Sequence, residues 1–265
     1  MTLNFKTSYT DALRKSGAEL KCTRTGTPCV IVGCAPHLDD LDLTVLDGTC
    51  DTFVCNRFFR SFPVPEFRPD YYVCADRRVW RRERELVEPQ MPLMMLGDVL
   101  FDKKTPLHDW VWGPKGRIDD PEGKGPCATP ASPWFGYRTN HQTDYIAFSD
   151  DPDRGFYQAG TVAYDMLQWA AFMGFNPIGI VGVDLRWPAG ADKYDSKVVT
   201  HAGGMKGTEH GAFPLYTDYN LKYFAHAAQI LEKRGIRVVN LAPGGALNVF
   251  PREDFRNFTD KLAVR

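Results

Sequence analysis

At 265 residues and a formal net charge of −1, the chain is long enough for one large domain and has no charge excess to draw it onto nucleic acid. Apolar content of 43% and charged content of 25% are those of a globular protein, which excludes a disordered or fibrous chain. The seven cysteines are odd in number and none forms a C-x-x-C pair, so they read as reduced thiols that fill the core of a cytoplasmic protein, with no metal expected.

The N-terminal stretch MTLNFKTSYTDALRK lacks the apolar segment of a secretory signal. No run of about 18 apolar residues follows anywhere, so no transmembrane segment is expected, while peripheral membrane contact stays open. Residues 8–20 read as a short amphipathic helix. Residues 28–32 (PCVIV) form a brief β-branched run between turn residues, the pattern of a buried strand. A turn, Gly33-Cys34-Ala35-Pro36-His37-Leu38, leads from it toward a helical start. Residues 51–56 (DTFVCN) and 70–75 (DYYVCA) repeat the strand pattern, residues 77–88 are charged and helix-like, and 91–96 is a fourth apolar run.

The rhythm breaks over 97–150, rich in Gly, Pro, Trp and Asp. A structureless loop of that length is uncommon inside a compact domain, so it reads as an inserted lid or acceptor-binding segment. Within it, 134–141 (WFGYRTNH) suits either stacking on a sugar or base, or a small cluster under the insertion. Helical spacing returns at 160–175 (GTVAYDMLQWAAFMGF), with Gly174 placed for a C-terminal stop. Residues 177–185 (PIGIVGVDL) are the clearest buried strand. A Gly-rich loop, 188–214, precedes an amphipathic helix at 217–233 and a last strand at 236–241. Strands separated by helices predict parallel pairing with right-handed crossovers. The expected fold is thus α/β: one Rossmann-like domain over 1–265, a mostly parallel sheet with helices on both faces, and two lid-like insertions, 97–150 and the lid loop 188–214.

In such sheets a ligand sits beyond the carboxyl ends of the strands. That rule selects Gly33, Cys34 and Ala35 after the first strand, Asn56 after the second, Asp76 after the third, Asp184 and Arg186 after the fifth, and Gly244 in the turn after the last. Gly33 lets a backbone approach a phosphate, or serves an ordinary turn; neither G-x-G-x-x-G nor a Walker loop is present. Asn56 suits contact with a base or ribose, or capping a turn. Asp76 suits a ribose hydroxyl, or capping the helix after it. Gly160 opens a helix whose N-terminus favours phosphate, or simply permits close packing. A charged Asp184 ending a buried strand needs a partner, for which Arg186 stands nearest. His201 and His210, in the loop 188–214, are natural general bases near neutral pH, or solvated loop residues. His37, His108, His141 and His226 read as plain turn, loop or helix residues.

Five segments in order, IVGCAPHLDDLDLTVL, DTFVCNRFF, RPDYYVCAD, YQAGTVAYDMLQWAAFMGFNPIGIVGVDL and VVNLAPGGALNVFPREDF, resemble the bacterial 6-hydroxymethylpterin diphosphokinase MptE-like family (domain-of-unknown-function family 115). That family in turn resembles the sialyltransferases of glycosyltransferase family 42. The resemblance spans about residues 28–255 and implies a metal-independent glycosyltransferase that uses a nucleotide-activated sugar, such as a CMP-linked nonulosonate, on a glycan acceptor, with no cofactor. Where the sialyltransferases read G-N-G-P-S-L, this chain has Gly33-Cys34-Ala35-Pro36-His37-Leu38, with Cys34 for Asn and His37 for Ser. Their C-N-x-F element matches Cys55-Asn56-Arg57-Phe58, which implies that Asn56 meets the nucleotide. Thr-Ser-Gly becomes Gln158-Ala159-Gly160, and I-D-F-Y becomes Val183-Asp184-Leu185-Arg186. Arg186 and Tyr194 then correspond to the phosphate-binding tyrosines, and His210 to the catalytic base. The family's label implies an alternative, an ATP-dependent pterin diphosphokinase that needs Mg²⁺. A non-catalytic nucleotide-binding relative is the third expectation.

Overall fold

The computed structural model describes residues 17–62, 67–75, 77–87, 90–91, 94–97, 135–137, 139–140, 146–150, 156–157, 159–185 and 216–264. Its strands are β1 (Cys29–Val32), β2 (Asp51–Cys55), β3 (Tyr71–Cys74), β4 (Met94–Gly97), β5 (Phe135–Tyr137), β6 (Thr139–Asn140), β7 (Phe156–Tyr157), β8 (Ile178–Val181) and β9 (Val238–Asn240). The helices are α1 (Phe58–Ser61), α2 (Arg77–Val87), α3 (Val162–Met173), α4 (Tyr216–Lys233) and α5 (Phe255–Ala263).

Seven strands form one sheet in the order β5-β4-β3-β2-β1-β8-β9, and every pairing in it is parallel. A parallel sheet must be covered on both faces, which is why its strands read as unbroken apolar runs. Alternate residues of each strand supply the two faces. Ile31, Phe53, Val73 and Ile180 face α3 and α4 through Tyr164, Trp169 and Phe224. Val30, Val54, Tyr72 and Val181 face the other way, onto Phe58 of α1, Trp80 of α2 and Phe258 of α5. Each fully buried large side chain of this kind contributes about 1.5–3 kcal/mol through water exclusion.

The chain runs outward from β1 through β2, β3 and β4, then returns across the sheet to lay β8 on the other side of β1. The connecting helix α3 is bounded by its own sequence. Thr161 Oγ1 accepts the Ala163 amide at its start. At its end Gly174, at φ +88°, closes it with bonds to the carbonyls of Ala170 and Ala171, the stop its sequence implies. The last turn of α3 bonds the segment just before β1: Cys22 and Arg24 donate to the carbonyls of Phe172 and Met173. Its first turn therefore lies at the opposite edge, beside the carboxyl ends of the strands.

Two details differ from the sequence pattern. Phe135–Tyr137, inside the segment 97–150, pairs with β4 as the outermost strand of the sheet, and Thr139–Asn140 pairs with Phe156–Tyr157 as a separate two-stranded ribbon. Pieces this short carry no periodicity of their own; the edge of β4 selects Phe135–Tyr137, and the other two pieces select each other. The amphipathic pattern at 8–20 falls outside the described residues except for a short 3₁₀ turn at Gly17–Leu20.

Candidate functional site at the strand reversal

The strand order reverses between β1 and β8, so the turns that follow these two strands face each other at the carboxyl edge. They meet at unusually short range. A β-carbon on Gly33 would lie 2.1 Å from the Gly182 carbonyl oxygen, and one on Gly182 would lie 2.8 Å from Leu38 Cδ1. Gly33 donates to Val181 O at 2.8 Å and Ala35 donates to Gly182 O at 3.0 Å. Both amides are thus taken by the β8 turn. The Gly33 and Ala35 amides, expected to face a phosphate, are instead bonded to the β8 turn.

The same closeness brings two side chains together. His37 Nδ1 lies 3.2 Å from Asp184 Oδ2 and 3.1 Å from Oδ1, and the Gly182 amide donates to His37 Nε2 at 3.3 Å. An N–H can meet only a lone pair, so Nε2 carries no proton, and the ring proton sits on Nδ1 and points at the carboxylate. The partner that Asp184 requires is therefore His37, read from sequence as a plain turn residue, while Arg186 lies outside the described residues. In a catalytic His–Asp pair the far nitrogen faces substrate. Here it faces the backbone, so His37 holds Asp184 and is not itself a base. The two side chains are 14% and 26% exposed, which leaves an edge of the carboxylate open to the crevice. Asp184 Oδ1, though close to His37, is buried without a hydrogen bond of its own among the described residues.

The backbone beside Asp184 is constrained on both sides. Leu185 sits at φ +49°, a conformation rare for a bulky residue, and its carbonyl accepts Thr217 Oγ1 at 3.0 Å. Asp184 O accepts the Ala246 amide at 2.7 Å, and a β-carbon on Gly245 would lie 2.6 Å from that oxygen. The turn carrying Gly244 is thereby pressed against Asp184, while Gly244 itself is exposed and has open space at its β-position. Arg252 fixes this turn from outside: its guanidinium donates to the carbonyls of Ala242 and Gly244 at 2.7 Å and of Gly245 at 3.1 Å. From beneath, buried Asn240 accepts the Ala242 amide at 2.9 Å and donates to Leu247 O. Sequence reading singled out neither residue; both lie in the segment VVNLAPGGALNVFPREDF, Asn240 before the A-P-G-G turn and Arg252 after it.

On the other side of β1, Asn56 stands at φ +47°, a left-handed position that asparagine tolerates better than most residues. Tyr72 Oη donates to its carbonyl at 2.7 Å. Asn56 Oδ1 is buried and has no donor among the described residues. Cys34 Sγ lies between, 3.6 Å from the Cys55 carbonyl. The Cys34 side chain and then burial push the Cys55 thiol well above its ordinary range, which removes it as a nucleophile near neutral pH. Gly160, at φ +70°, is exposed just before the Thr161 cap of α3. Asp76, Tyr194, His201 and His210 lie outside the described residues. Among the described residues no group of three His, Cys, Asp or Glu side chains is arranged to hold a metal ion, and no helix is long and apolar enough to cross a membrane.

These features define a doubly wound Rossmann-like protein with a polar crevice at its strand reversal. Neither a protein-family model nor a curated protein matches the chain. Among solved structures it is similar to the MAf glycosyltransferase from Magnetospirillum magneticum AMB-1, at 14% identity over 96% of this chain and 41% of that one, with a TM-score of 0.48. The chain thus spans about two fifths of that protein's length.

Proposed function

We propose that the crevice binds the nucleotide of an activated sugar and that the protein is a metal-independent glycosyltransferase, with a CMP-linked acid sugar as the leading donor. The observation that carries this reading is the pair of polar strand ends on either side of β1: the partly exposed Asp184 carboxylate, held by His37, and the buried Asn56 Oδ1, which has no donor among the described residues. Two strand spacings separate those ends, about 10 Å. A buried acceptor left unpaired costs about 1–3 kcal/mol, which an occupant rich in hydroxyl and amino donors removes. A nucleoside is such an occupant. The phosphates belong away from Asp184, whose charge repels them, and toward the first turn of α3. The resemblance of the five sequence segments supports the same reading.

In the reaction, His210 takes the proton of the acceptor hydroxyl as its oxygen attacks the activated sugar carbon. The bond from that carbon to phosphate breaks, and Arg186 and Tyr194 stabilise the charge on the departing phosphate. A panel of CMP, CDP, UDP, GDP and ATP, each with and without Mg²⁺, tests the reading through the melting temperature. Stabilisation by CMP without metal is expected. Stabilisation by ATP with Mg²⁺ alone would favour a pterin diphosphokinase, and no stabilisation at all would favour a binding or assembly protein with a vestigial site.

A further inference from the structure

The histidine at position 37 does two things at once that a plain turn residue does not. It accepts the Gly182 amide on Nε2 and directs its Nδ1 proton at Asp184, bridging from the turn after β1 to the turn after β8. The two turns are otherwise joined by backbone bonds and by apolar contact, Leu38 against Gly182 and Val183 against Gly33. Gly33 and Ala35 donate to Val181 and Gly182, and the absence of a side chain at Gly33 lets them approach. A carboxylate can rotate about its own side-chain bonds, and neither the sheet nor the bond from the Ala246 amide to Asp184 O restrains that rotation. Among the described residues the imidazole is the side chain bonded to that carboxylate, and its own ring is held at both nitrogens.

We propose that His37 is a positioning residue for ligand binding: it occupies one lone pair of Asp184, sets the plane of the carboxylate, and leaves the remaining accepting capacity turned to a hydroxyl or amino group of the nucleoside. This rests on the nucleotide reading given above. The proton needed for the role stays on Nδ1 as long as the Gly182 amide holds Nε2, so His37 acts through Asp184 and touches no reacting atom. The chemical class selected is a neutral hydrogen-bond donor on the ligand. An anionic group would meet the Asp184 carboxylate without a cation from His37 to offset it.

A double-mutant cycle on the full chain tests the role, with CMP affinity measured by titration calorimetry. His37→Leu is expected to weaken CMP by about ten- to a hundredfold, the range for losing a hydrogen bond to a charged group. In an Asp184→Asn background the same change is expected to add almost nothing, because the residue His37 acts through is already altered. A merely structural role, holding the two turns together, predicts instead that the two losses multiply, and that result would overturn the proposal. Should His37→Leu not fold, His37→Asn and His37→Gln carry the comparison. Asparagine keeps a donor where Nδ1 lies and is expected to bind CMP within about threefold of the original chain. Glutamine reaches toward the Nε2 position and is expected to lose about tenfold. Equal affinities for the two variants would overturn the proposal. If the unaltered chain binds neither CMP nor any other nucleotide of the panel, the nucleotide reading falls and this inference with it. Binding by the unaltered chain that His37→Leu leaves unchanged removes the inference alone.

Discussion

Single residues at the carboxyl edge differ sharply in what their surroundings allow them to do. His37 is fixed at both nitrogens and serves Asp184, whereas Cys34 is half-buried, packs against both apolar clusters and makes a long bond to the Cys55 carbonyl. The other cysteines are sorted by burial. Burial pushes the Cys29 thiol well above its ordinary range, and it pushes Cys50 up to about 12. Cys55 is raised by the Cys34 side chain and by burial, and Cys74 is fully buried. Cys22 is exposed at φ +55°, in the segment before β1. Only thiolate reacts with an alkylating reagent, so a raised thiol reacts more slowly at a given pH. In the folded chain at about pH 8, peptide mass spectrometry after iodoacetamide is expected to find Cys22 labelled well ahead of Cys29, Cys50, Cys55 and Cys74. Labelling of Cys55 as fast as Cys22 would mean that the strand ends are open in a way the geometry forbids.

At the scale of elements, β1, β8 and α3 make the site, and the glycines between them set its dimensions. Gly33→Ala is expected to destabilise the chain by about 3 kcal/mol or more, since its β-carbon would meet backbone that cannot move without separating the two strands. Gly244→Ala, with open space around it, is expected to change stability by less than about 0.5 kcal/mol. Urea titration of the two variants measures the contrast, and equal stabilities would contradict the packing described. The elements that carry the site were legible in the sequence because each has a strong local pattern: the β-branched run of β1, the IGIV run of β8, and the Thr161 and Gly174 boundaries of α3. The short strands β5, β6 and β7 were not, because each is two or three residues long and pairs with a strand that its own local window does not contain. The same reason hid His37. A histidine in a turn has no local signature, and its meaning comes from Asp184, 147 residues further on. Asp184 itself was legible, because a charge at the end of a buried strand needs a partner wherever that partner lies.

For the whole molecule, the sheet order fixes where binding is expected before any side chain is considered. Strands flank β1 on both sides, so the topological switch point, where a ligand is expected, lies at the carboxyl edges of β1 and β8. The turn after β9 closes one end of the crevice, held by Arg252 and Asn240, and the Asn56 corner closes the other. Asp184 and the buried Asn56 Oδ1 stand at the two strand ends that flank β1, the place where the proposed nucleotide is expected. Hydrogen exchange with and without CMP, followed by mass spectrometry, tests that central claim most directly. Slower exchange is expected in peptides spanning 33–38, 56–58, 182–185 and 242–247, with no change along β9 or at the far ends of the strands. Protection confined to residues outside the carboxyl edge of the sheet, or no protection at a CMP concentration that saturates the chain, would contradict it.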